Sequence, residues 1–149
     1  MRVDRFVDTN VLLASTARQH PSHAWALTFL NSGFADRSLF LSGQVIREYL
    51  VVATRPVAVN GLGLPMEAAL GNAGQFLARA SCLAEDAAVR DTLLRLLETT
   101  PVAGKQVHDA NLVATMLTHG VKHLVTLNPR DFARFTPAIH VIGLGGTGS

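Results

Sequence analysis

Short apolar runs alternate along this chain with longer stretches whose apolar residues recur every three or four positions. Strands interleaved with amphipathic helices leave that pattern. Val3 to Val7 reads as a first strand, ending at Asp8. A helix begins near Thr9 or Asn10, carries Val11, Leu12 and Leu13, and stops before Pro21. Ser22 suits the N-cap of a second helix bearing Trp25, Leu27, Phe29 and Leu30, with Gly33 as its expected end. Leu39 to Leu41 reads as a second strand, and Ser42 caps a helix from about Gly43 to Thr54 that Pro56 closes.

Val57 to Leu64 holds two glycines and an asparagine and is expected to be an exposed loop. Pro65 opens a helix to about Ser81, with Gly71 and Gly74 as soft spots. Cys82 to Ala84 is a weak strand signal. A helix from about Asp86 to Glu98 gathers Val89, Leu93, Leu96 and Leu97 on one side. After a connector over Pro101–Val107, a helix runs from about Asp109 to Thr118, ended by Gly120. His123 to Leu127 and Ile139 to Ile142 are the last strands, with a short helical turn opening at Asn128. This alternation predicts an α/β fold with a parallel sheet. No repeat or second linker is visible, so the expectation is one domain over 1–142 and a flexible Gly-rich tail at 143–149.

Composition narrows the function classes. At 149 residues and 48% hydrophobic, the chain can bury a core without staples. The net charge of +2 permits a nucleic-acid partner without arguing for one. Cys82 is the single cysteine, which excludes an intrachain disulfide and a Cys-based zinc site. A reducing cytoplasm is the natural compartment for such a chain. The N-terminus has no signal-peptide run, and no stretch reaches a membrane span of ~18 apolar residues.

Three carboxylates stand in positions that demand a reason. Asp8 ends a strand, where open parallel sheets bind their ligands; it could equally cap the next helix. Glu48 shares a helical face with Val45 and Val52. It is either paired with Arg47 or Arg55 or held in a site, because burying a lone charge costs several kcal/mol. Asp109 is an N-cap, or faces the core side if its helix starts a turn earlier. Asn128, Pro129 and Asp131 have the spacing of a capping box, yet Asn128 also ends a strand on the same sheet edge as Asp8. Two carboxylates ~4 Å apart repel by about 4 kcal/mol at an effective dielectric near 20. A hard divalent cation such as Mg²⁺ removes that repulsion and activates water for attack on a phosphodiester. A covalent role for Asp8 is disfavoured, because the enzymes it would resemble carry a second Asp where this chain has Asn10.

Val7-Asp8-Thr9-Asn10, Glu48 within Val45-Ile46-Arg47-Glu48-Tyr49, His108-Asp109-Ala110, and Val125-Thr126-Leu127-Asn128-Pro129-Arg130-Asp131-Phe132 together resemble the PIN domain. The likeness is greatest to the VapC-type toxins of toxin–antitoxin pairs and spans about residues 3–142. It implies a three-layer α/β/α fold with a small parallel sheet. It implies a Mg²⁺- or Mn²⁺-dependent endoribonuclease in which Asp8, Glu48 and Asp109 are the metal-binding acids. Where the family often has a fourth acid, this chain has Asn128, with Asp131 three residues on; either could complete the site. Thr126 is placed to help orient it. The resemblance also implies an RNA substrate, a homodimer and a small antitoxin lying across the apolar helices around 11–30 and 43–54.

The other polar and aromatic residues have plainer readings. His20, His23, His119, His123 and His140 lack zinc-ligand spacing and suit surface or capping roles, and His108 is set apart only by adjoining Asp109. Trp25, Phe29, Phe132 and Phe135 are expected to pack. Arg130, Arg134, Lys105 and Lys122 are expected near the acidic edge, where a basic rim would meet RNA phosphate.

Overall fold

A computed structural model describes residues 2–143; apart from Gly143, the tail expected at 143–149 lies outside the described residues. The elements in chain order are β1 (Arg5–Val7), α1 (Thr9–Thr16), α2 (His23–Ala35), β2 (Leu39–Ser42), α3 (Gly43–Thr54), α4 (Met66–Arg79), β3 (Ser81–Leu83), α5 (Ala87–Thr99), α6 (Gln106–His119), β4 (His123–Val125) and β5 (His140–Ile142). Short 3₁₀ turns cover Val57–Val59 and Pro129–Phe135.

The five strands form one sheet in the order β3-β2-β1-β4-β5, and every pairing is parallel. Register sets Phe6 beside Phe40 on one side and Leu124 on the other. Because β2 and β4 both adjoin β1, the chain direction across the sheet reverses there. Parallel α/β sheets bind ligands in the crevice beyond the carboxyl ends of the strands at such a point. Asp8 and Thr126 immediately follow the two strands that meet there.

Strands of three or four residues suffice because apolar side chains from both layers seal them. Phe6, Val7, Leu39, Leu41, Leu124 and Val125 are buried with Val11, Leu12, Val45, Tyr49, Leu112, Val113 and Met116 from the flanking helices. Trp25 stacks on Phe29, and Arg5 lies over the Phe29 ring, while Phe132 and Phe135 are buried.

Three local expectations are corrected. Gly33 does not end α2, which continues to Ala35; it lies inside the helix and faces Leu39. The segment 57–64 is not simply an exposed loop. The N–H groups of Leu62, Gly63 and Leu64 donate to the carbonyls of Val52, Arg55 and Ala53 at 3.1, 2.9 and 2.9 Å. It therefore caps the orphan carbonyls at the end of α3, and Leu62 and Leu64 pack on the core. Finally, α6 starts at Gln106, three residues before Asp109. Asp109 is accordingly a first-turn residue of the helix and not its cap.

Candidate active site

Asp8 closes β1 and is the N-cap of α1, its extended backbone letting Oδ1 accept from the Thr9 N–H at 2.8 Å. Oδ2 accepts from the Thr126 hydroxyl at 2.8 Å. Thr126 is fully buried, and its oxygen also accepts from Asn10 Nδ2 at 3.2 Å and from the Asn128 N–H at 3.0 Å. A hydroxyl has one proton and two lone pairs, so this set saturates it and fixes its proton on Asp8. Asn10 Oδ1 in turn accepts from the Leu127 N–H at 3.1 Å. Strand ends and helix start are thus laced around one carboxylate.

Glu48 sits on α3 with Oε1 accepting from the Thr9 hydroxyl at 3.1 Å. The face of α3 turned to the same cavity carries Gln44, Arg47, Glu48, Val51 and Val52, and Arg55, the C-cap that follows the helix, lines it too. The cavity, about 500 Å³, is also lined by Asp8, His108, Asp109, Asn128 and Asp131. All five residues singled out from the sequence are therefore brought to one place. Among the described residues, the ion pairs within 4 Å are Arg2–Asp4 and Arg90–Asp91, so Glu48 is not locked onto Arg47 or Arg55. The capping-box reading of Asn128 also fails. Asn128 precedes the 3₁₀ turn, but its side chain makes no capping hydrogen bond.

Electrostatics reflect this crowding. Burial raises the Asp8 carboxyl from 3.8 to about 6, opposed by the Thr126 and Thr9 hydrogen bonds and reinforced by Glu48 and Asp109. Burial also raises Asp109 to about 6, helped by the negative charges of Asp131 and Glu48 and opposed by Arg134 and His108. Asp131 is therefore felt at the site, although it lies on an exposed turn. Among the described residues, no three carboxylate, imidazole or thiol groups stand close enough to hold an ion between them. The acids line a shared cavity without converging on a point. Their donors are nonetheless all oxygen and without a cationic side-chain partner, which suits a hard cation that keeps several of its waters.

Side chains with no assigned role in the sequence reading hold this geometry. Gln44 is buried; its Nε2 donates to the His108 carbonyl at 2.7 Å, and its Oε1 accepts from Asn111 Nδ2 at 2.7 Å. Glu85 accepts from the Gln44 N–H at 2.8 Å and from Asn111 at 3.3 Å. This knot ties the first turn of α3 to the first turn of α6, the turns that lead to Glu48 and Asp109. Its one trace in the sequence is Asn111, an amide inside the apolar run Ala110–Ala114.

Other expected residues lie elsewhere. His20 accepts from the Ser22 N–H, and His23 and His119 bond the Ala14 and Ala84 carbonyls. His123 and His140 stack at the opposite end of the sheet. Lys122 precedes β4 and shares that far end, not the acidic edge. The exceptions are basic: Arg130 lines grooves beside β5 and beside Asn128 and Asp131, Arg134 donates to the Pro101 carbonyl at 3.1 Å while its charge reaches Asp109, and Lys105 directly precedes the first turn of α6.

The sequence model of the PIN domain matches residues 5–136. Ribonuclease VapC48 of Mycobacterium tuberculosis is 32% identical over 131 residues, covering 86% of this chain and 89% of the relative. Ribonuclease VapC24 of the same organism is 29% identical over 129 residues, covering 87% and 89%. Among solved structures, VapBC2 from Rickettsia felis bound to a DNA fragment from its promoter superposes with a TM-score of 0.69 at 17% identity, covering 95% of this chain and 98% of the other. The family model spans nearly the whole chain, and the chain belongs to the PIN-domain family.

Proposed function

We propose that this protein is a divalent-metal-dependent endoribonuclease and acts as the toxin of a toxin–antitoxin pair. The observation that carries this reading is the gathering of Asp8, Glu48, Asp109 and Asp131 in one cavity at the sheet's switch point, with no cationic side chain among the described residues ion-paired to them. The ribonuclease names of the relatives at 32 and 29% identity support the substrate class. The VapBC neighbour supports an antitoxin as partner; its seat on this reading is the apolar helices around 11–30 and 43–54, and a homodimer is the expected assembly.

Asp8, Glu48 and Asp109 would hold Mg²⁺ or Mn²⁺. When bound, the ion supplies Lewis-acid activation of water and neutralises charge on the leaving oxygen. The chain's own residues set the stage for that. Thr126 and the Thr9 N–H keep Asp8 in one rotamer and favour its ionised form. The Thr9 hydroxyl holds the Glu48 carboxylate in place through its 3.1 Å hydrogen bond to Oε1. Asp131 supplies the fourth carboxylate and Asn128 a neutral amide oxygen, so the last position is shared between them. Because no protein nucleophile is needed, water attacks the phosphorus directly.

Purified protein is expected to cleave RNA with Mg²⁺ or Mn²⁺ and to stop on addition of a chelator. Asp8→Ala should abolish cleavage while circular dichroism shows the fold retained. Undiminished cleavage by that variant would remove Asp8 from the mechanism. A second reading, an RNA- or partner-binding module without cleavage, draws on the acids' failure to converge on a point. Calorimetry with Mn²⁺ separates the two: binding accompanied by cleavage supports the enzyme, and no binding at millimolar metal supports the module.

A further inference from the structure

An acidic cavity repels the polyanion it is to cut, so cations must lie along the strand's path within about a Debye length, ~8 Å at physiological salt. None of the four basic residues expected in that role lines the cavity itself: Lys122 lies at the far end of the sheet, Lys105 precedes α6, Arg130 lies in the grooves beside β5 and beside Asn128 and Asp131, and Arg134, whose charge reaches Asp109, is bonded to the Pro101 carbonyl. Two other arginines do line the cavity. Arg47 on α3 and Arg55, the C-cap at its end, stand on either side of Glu48 in sequence on that wall of the cavity, and neither is ion-paired among the described residues.

Helix geometry explains why they stay free. Adjacent residues point about 100° apart at 3.6 residues per turn, so Arg47 cannot fold back onto Glu48 without leaving its side of the helix. The Glu48 carboxylate is already engaged by Thr9. Arg47, Val51 and Arg55 fall four residues apart on a single stripe, with the guanidinium stems ~12 Å from one end to the other. Val51 between them is 53% exposed, an apolar step between two charges. The base of Arg55 is fixed: its carbonyl accepts from the Gly63 N–H at 2.9 Å, and Gly61 packs so closely that a Cβ there would lie 1.9 Å from the Arg55 oxygen.

We propose that Arg47, Val51 and Arg55 form the track of the RNA strand beside the acidic centre, the two arginines each holding a backbone phosphate on one side of the scissile bond. This deepens the ribonuclease reading and rests on it for the identity of the strand. Arginine suits the task because its fork binds phosphate oxygens in pairs and stays charged. Contacts of this kind position a strand without choosing its sequence. Arg47 and Arg55 are thus positioning residues.

The test uses a short mixed-sequence single-stranded RNA bearing a fluorophore, its anisotropy followed in chelator so that nothing is cut. Each phosphate contact contributes about 0.7 to the slope of log affinity against log salt. Arg47→Gln with Arg55→Gln should lower the slope by about 1.4, so the affinity lost between about 50 and about 200 mM salt shrinks roughly sevenfold. Arg47→Lys with Arg55→Lys should restore most of the slope, and Arg95→Gln, on exposed α5, should leave it alone. An unchanged slope in the glutamine pair would overturn the proposal. So would a loss confined to polyglutamate binding, which would make the track one for an acidic protein segment. Cleavage by the wild type with an unchanged slope would sink the track alone. A lowered slope without cleavage under any metal would keep the track and sink the nuclease.

Discussion

The Thr126 hydroxyl donates to Asp8 Oδ2 at 2.8 Å, joining residues 118 positions apart in the chain. It is the point on which two strand ends and one helix start converge, because the same oxygen accepts from Asn10 and from the Asn128 N–H. Thr126→Val keeps the shape and deletes all three bonds. Leaving buried partners unsatisfied costs about 1–3 kcal/mol each where water cannot reach them. The Asp8 carboxyl should also rise further, since the bond that holds it down is lost. We expect a lowered Tm and a weaker Mn²⁺ affinity in Thr126→Val, and near wild-type values in Thr126→Ser. Equal losses in both variants would show that the methyl packing matters more than the hydroxyl.

The raised acids make stability depend on pH with a definite sign. Asp8 and Asp109 both move from 3.8 to about 6 on folding, so between those values the folded state binds more protons than the unfolded one. Stability of the metal-free protein should therefore fall as pH rises from about 4 to about 6, then level off. For Asp8 the shift corresponds to about 3 kcal/mol at 1.36 kcal/mol per pH unit. Asp109 is half-buried and contributes less after solvent screening. Asp109→Asn should raise the metal-free Tm at pH 7 and flatten the profile. Added Mn²⁺ should raise Tm more at pH 7.5 than at pH 5, because a cation binds the ionised acids. Urea melts across this range, with and without Mn²⁺, read both effects.

The strand–helix alternation and the four short motifs were legible because each rests on local signals: apolar period, caps and strand-end carboxylates. Asp8, Glu48, Asp109, Asn128 and Asp131 do line one cavity. What was not legible depends on contacts across the fold. Gly33 looks like a helix stop, but its lack of a side chain serves the approach of Leu39 from β2. The segment 57–64 reads as a loop by composition, yet its N–H groups satisfy the end of α3. Arg47 and Arg55 looked like partners of Glu48 by spacing. Whether they pair depends on Thr9, far away in the chain. Asp8 and Asp109 each had a capping alternative: Asp8 is both cap and cavity acid, and Asp109 is spared capping by a helix that starts at Gln106.

Gln44 should matter to Asp109 without touching it. Its amide holds the His108 carbonyl at 2.7 Å and Asn111 at 2.7 Å, fixing where the first turn of α6 lies against α3. Gln44→Leu fills the same space but strands both partners, at a cost of about 1–3 kcal/mol. If the knot positions the acids, Mn²⁺ affinity should drop in Gln44→Leu even at temperatures where the variant is fully folded. A variant that loses Tm but binds Mn²⁺ as the wild type does would leave Gln44 a purely structural residue.

The same substitution at two helical glycines should have opposite signs. Gly→Ala inside a helix gains roughly 0.5–1 kcal/mol when nothing obstructs the methyl. At Gly71, in α4, nothing lies within 4 Å of a built Cβ, so Gly71→Ala should raise Tm. At Gly33, in α2, that Cβ would lie 2.5–2.7 Å from three carbons of Leu39, a side chain with no exposed surface through which to retreat. Overpacking of this kind costs about 1–3 kcal/mol, which exceeds the helical gain. Gly33→Ala should therefore lower stability by about 1–2 kcal/mol, or about 2–8 °C at the 2–4 °C per kcal/mol of a domain this size. Gly33→Ala combined with Leu39→Val, which shortens the opposing side chain, should recover part of the loss. Thermal melts of the three variants decide it, and a rise in Tm for Gly33→Ala alone would mean that β2 yields to α2 more readily than its burial implies.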